Sequence, residues 1–79
     1  MNTTEKLDLL DKFILEKERQ QILIDVEYRT LTSMVMASSK KDENLLAKQH
    51  QTKQTLNLVE VTIRQARGMR DEIKNAKES

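Results

Sequence analysis

The sequence predicts an all-α fold in which two long antiparallel helices form a coiled-coil-like helical hairpin, a single domain of 79 residues. Three observations support this. The chain has no proline and one glycine, Gly68, so nothing interrupts helix over about 4–37 or about 42–76. In both runs apolar residues recur at alternating steps of three and four, the spacing of a heptad seam. Between the runs lies the polar linker Ser38-Ser39-Lys40-Lys41, short enough to fold one helix back on the other.

In the first helix, Thr3 or Thr4 is the predicted N-cap, and Glu5, Asp8 and Asp11 follow where acidic groups suit the positive helix end. The seam reads Leu7, Leu10, Ile14, Lys17, Gln21, Ile24, Tyr28, Leu31 and Val35, with two polar members at its middle. The second helix is predicted to start with a capping box of Ser39 and Asp42. Its seam reads Leu45, Gln49, Thr52, Leu56, Val59, Ile63, Ala66, Arg70 and Ile73. This helix is polar from Lys48 to Thr55 and apolar from Leu56 to Ile63. Gly68 costs about 1 kcal/mol relative to alanine and is expected to fray or bend the last turns. The alternative at Gly68 is close approach by another helix.

With the turn centred near Lys40, antiparallel pairing sets Tyr28 near Thr52 or Lys53, Ile24 near Leu56 and Gln21 near Val59 or Glu60. Lys17 falls near Ile63, and Leu10 near Arg70. Polar side chains thus face the most apolar stretch of the second helix. A long side chain such as Lys17 can lay its stem along the seam and carry its charge out to water.

The apolar residues exceed what one seam can bury. Ile22, Leu23, Ile24 and Val26 crowd the first helix, and Leu56, Leu58, Val59, Val61 and Ile63 crowd the second at the same height. At about 100° per residue no single contact covers either cluster. The expectation is an exposed apolar girdle that binds another chain through Leu15, Ile22, Val26, Leu58 and Val61. Burying five such side chains would supply roughly 7–15 kcal/mol before entropy.

Composition narrows the function classes. The chain is 34% charged, 3% aromatic and near neutral at formal net +1, a balance that argues against a nucleic-acid or anionic-lipid footprint. Arg64, Arg67, Arg70, Lys74 and Lys77 form a basic trace near the end of the second helix, interleaved with Glu60, Asp71 and Glu72. It reads as a solvated face that suits the negative helix end. With two aromatic residues, Phe13 and Tyr28, the chain has little to stack RNA bases on. Met34, Met36 and Met69 read as adaptable packing groups.

No apolar stretch reaches the roughly 18 residues of a membrane span, no secretion signal is read at the amino terminus, and the expected compartment is the cytoplasm. The chain has no cysteine and a single histidine, His50, among glutamines, so no metal site or cofactor is expected. No serine has an identifiable base, and no glycine-rich phosphate loop occurs. The expectation is a binding module without catalytic residues.

The layout resembles the YscE-like co-chaperones of bacterial type III secretion systems, small two-helix hairpins. The points of likeness are the acidic start Glu5-Lys6-Leu7-Asp8-Leu9-Leu10 and the polar turn around Ser38 to Asp42. The second helix adds its change from Gln49-His50-Gln51-Thr52-Lys53-Gln54 to the apolar Leu56–Ile63. The resemblance implies partnership with a helical-repeat (TPR-like) chaperone and, through it, with a needle subunit kept unpolymerised before export. It assigns no individual contact residue. The charged tail after Gly68 departs from the shorter members.

Two other readings stand beside it. A homodimer of two hairpins would form a four-helix bundle and act as an adaptor or regulator. The Ser-x-x-x-Asp spacing of Ser38 and Asp42 also resembles the short helical-hairpin aspartyl-phosphate phosphatases of sporulating bacteria. Here, however, Lys41 stands where that motif has leucine, and the run lies in the turn.

Overall fold

The computed structural model describes residues 1–78, with side chains described through Ala76, so that Lys77 of the basic trace lies outside them. Helix α1 spans Thr3–Ala37 and α2 spans Glu43–Glu78, packed antiparallel as a hairpin 60 Å long and 16 by 15 Å across. Among the described residues there is no strand.

Local chemistry sets each helix end, in two places differently from expectation. Asn2, not Thr3 or Thr4, caps α1: its backbone is extended and its Oδ1 accepts the Glu5 N–H at 2.8 Å. Its side-chain amide donates to Glu5 Oε1 at 3.2 Å, so cap and third residue hold each other. Asparagine is the better cap, and Glu5 lies three residues on. At the far end the Ser38 N–H is shared between the Met34 and Val35 carbonyls, and the Ser38 hydroxyl donates to the Lys40 carbonyl.

The predicted capping box of Ser39 with Asp42 is replaced by Asp42 acting as the cap of α2 itself. Its Oδ1 accepts from the Asn44 and Leu45 N–H groups at 3.0 and 3.2 Å. A short aspartate reaches forward into the first turn more easily than back across three residues. Gly68 does not interrupt α2. The helix runs through it with ordinary backbone angles, and a Cβ there would meet nothing within 4 Å. Close approach by α1 is therefore not the reason for this glycine.

Every seam residue in both helices is buried or half-buried. The tight part is a small cluster of Ile14, Val59, Ile63 and Ala66, with Leu10 and Ile24 packed against it and Leu56 also buried. Only Ile14 of α1 is fully enclosed, at 3% exposure. The core therefore sits in the half of the hairpin nearer the chain ends, where α2 is most apolar. Toward the turn, Tyr28, Leu31, Val35, Leu45 and Thr52 are half-buried.

The polar seam residues are accommodated by leaving it. Lys17 is half-buried, and its Nζ exits to Gln20 Oε1 at 3.2 Å and lies 5.4 Å from the centre of the Phe13 ring. Gln49 donates to Thr32 Oγ1 at 2.9 Å, and the Lys53 ammonium lies 5.2 Å from the centre of the Tyr28 ring. Such side chains bury their stems and keep their polar tips satisfied.

Candidate protein-interaction surface

The two sides of the seam differ chemically. Asp11, Glu18, Asp25 and Thr32 recur every seven residues along α1 and share one flank. Cross-helix polar contacts gather there. Glu18 Oε2 accepts from Arg67 at 3.0 Å, Asp11 Oδ1 from Arg70 at 3.3 Å, and Thr32 from Gln49. Arg70 is further placed 3.9 Å from its neighbour Asp71. This flank is closed by charges.

Asp25 and Glu27 lie two residues apart, about 200° around the helix, and so stand on opposite sides of the seam. The Glu27 flank carries Phe13, Gln20 and Met34 at the same seven-residue spacing, with Leu9 and Leu23 beside them. From α2 it receives Lys48, Thr55, Thr62 and Met69, with Leu58 alongside. No cross-helix ion pair is found on this flank among the described residues.

Its threonines are turned inward chemically. Thr30, Thr55 and Thr62 donate their hydroxyls to the carbonyls of Val26, Gln51 and Leu58 on their own helices, at 2.8, 3.0 and 2.8 Å. Hydroxyls satisfied in this way offer no free donor to the surface. Toward the turn the flank opens into a groove of about 420 Å³ lined by Val26, Glu27, Thr30, Leu31, Lys48, Gln51 and Thr52. The seam residues at this height, Gln49 and Thr52, are polar and half-buried, and Gln49 reaches across to Thr32.

All five residues singled out for partner binding are exposed: Leu15, Ile22, Val26, Leu58 and Val61. They do not form one patch. Leu15 and Ile22, seven apart, line the outer side of α1 next to the charged flank, and Val26 lies directly behind the seam. Val61 holds the corresponding back of α2, whereas Leu58 belongs to the Glu27 flank with Leu23. Leu9, Phe13, Leu23 and Met69 are not among the five predicted partner-binding residues, yet all four are exposed. Leu9 and Leu23 stand two heptads apart in the sequence, but which flanks of the two helices adjoin follows from the fold.

The other candidate features are engaged locally or stand alone. Ser38 and Asp42 are occupied in ending α1 and starting α2. His50 is exposed on α2, and among the described residues no cluster of His, Cys, Asp and Glu could hold a metal ion. No described helix is long and apolar enough to cross a membrane.

No protein-family model, curated protein or solved structure matches this chain.

Proposed function

We propose that this hairpin is a non-enzymatic protein-binding module acting as a co-chaperone of the type III secretion kind. In this reading it stabilises a helical-repeat chaperone that holds a needle subunit soluble in the cytoplasm. The observation behind it is the amount of large apolar side chain left in water. Ile22 is 65% exposed, with Leu15, Val26 and Val61 also open, on a molecule whose own core is one small cluster. Exposed apolar surface of this extent on a small protein marks an interaction site. The likeness of layout to YscE-like hairpins, described above, supplies the specific role, and mass action supplies the mechanism, because a partner that binds only the folded chaperone shifts it toward the folded state.

The test is co-purification of the chain with a helical-repeat chaperone, alone and with a needle-type subunit. Ile22→Ser combined with Val61→Ser is expected to abolish the complex while circular dichroism of the isolated chain stays as helical as before. Complex formation that survives both changes overturns the assignment of this surface.

A further inference from the structure

We infer that the flank of the hairpin without cross-helix ion pairs is a self-association face, and that its occupant is a second copy of this chain. The chain exposes 6274 Å² at a mass of 9.2 kDa. A compact monomer of that mass exposes about 4,900 Å², so about 1,300 Å² is in excess, more than the roughly 800 Å² per partner of a standard interface. The excess has a natural place. Leu23 and Leu58 are each 66% exposed, and the register set by the Glu18–Arg67 and Tyr28–Lys53 contacts brings them to the same height. Phe13 and Met69 make a second apolar level nearer the chain ends, and both are exposed.

A second copy suits this flank because the flank is complementary to itself. With the two-fold axis along the hairpin, α1 of one copy lies over α2 of the other at equal height, and all neighbouring helices run antiparallel. Leu23 then meets the partner's Leu58, and Phe13 meets the partner's Met69. Gln20 meets the partner's Thr62, and Glu16 meets the partner's Gln65. Glu27 faces the partner's Thr55, and Lys48 faces the partner's Met34. No like charges are opposed at any of these levels, and the ion-paired flank stays in water. Leu15, Ile22 and Val61 stay uncovered, so the heteromeric contact can be tested at Ile22 and Val61 apart from this one, although Val26 borders this flank's groove and Leu58 lies on the flank itself.

Light scattering on the purified chain tests it. The expected mass is twice the 9.2 kDa of one chain. Leu23→Glu together with Leu58→Glu should halve that mass with the helical dichroism retained, whereas Ile22→Ser with Val61→Ser should leave it doubled. Because the chain has no cysteine, introduced ones report a single geometry. Chains carrying Leu23→Cys mixed with chains carrying Leu58→Cys should join on mild oxidation. A wild-type mass of one chain overturns the inference, as does a doubled mass that survives the two glutamates. So do loss of the dimer in the Ile22 and Val61 variant and failure of the mixed cysteine chains to join. Each of these results leaves the co-purification test standing on its own.

Discussion

Ile14 is the one fully enclosed side chain of α1, set against Val59, Ile63 and Ala66. Truncating it removes several methylene groups from the tightest contact between the helices. Ile14→Ala is therefore expected to cost about 2–4 kcal/mol, read as a lower midpoint in thermal or urea unfolding. Met36→Ala, at an exposed position near the turn, should fall within about 0.5 kcal/mol of wild type in the same assay. Arg70 poses a different question, since it occupies a seam position, pairs with Asp11 at 3.3 Å, and leaves its Nε buried without a hydrogen bond. An incompletely satisfied cation in a seam is a weak stabiliser. Arg70→Met should accordingly leave stability unchanged or raise it, and a loss above about 1 kcal/mol would show that the pair outweighs its desolvation. The Glu18–Arg67 pair is about half exposed on both sides, where coupling in a double-mutant cycle is expected at about 0.2–1 kcal/mol.

At the scale of the helices, the ends and one glycine offer clean tests. Asp42 satisfies two backbone N–H groups at the start of α2, so Asp42→Ala should destabilise by about 1 kcal/mol. Gly68 sits in unbroken helix with open space around it, so Gly68→Ala should stabilise by about 1 kcal/mol. Measured alongside partner binding, that variant also separates local helix propensity from any need for a small residue at a contact. The two helices contribute unequally to the core: α2 supplies Leu56, Val59, Ile63 and Ala66, whereas α1 supplies Ile14. That imbalance follows from Lys17 and Gln21 occupying the α1 seam opposite the apolar stretch of α2. It leaves α1 with most of its large apolar groups, Leu15, Ile22, Leu23 and Val26, facing outward.

For the molecule as a whole, cross-helix ion pairs close one side of the seam and leave the other without them. A hairpin stabilised by a second copy has a stability that depends on protein concentration. The unfolding midpoint of the wild-type chain should therefore rise with concentration, while that of the Leu23→Glu, Leu58→Glu variant should not. A flat wild-type midpoint in thermal melts across a wide dilution series would mean that the hairpin stands alone until it meets a heteromeric partner.

The absence of proline and the alternating three-and-four spacing determined by themselves that the chain is two helices, where they turn, and which stripe of each is buried. Both are local properties of a helix, set within a few residues, and the seam from Leu7 to Ile73 is the one the structure buries. The same logic exposed the surplus of apolar residues from Ile22 to Val26 and from Leu56 to Ile63. Only the tertiary structure decided how that surplus divides. Pairing fixes which flank of α1 adjoins which flank of α2, and so joins Leu23 to Leu58 and Phe13 to Met69 while gathering Glu18 and Arg67 on the other side. The helix period says which residues of one helix share a face. Which faces of two helices meet depends on the sense and register of their packing, set by contacts between residues as distant in sequence as Asp11 and Arg70.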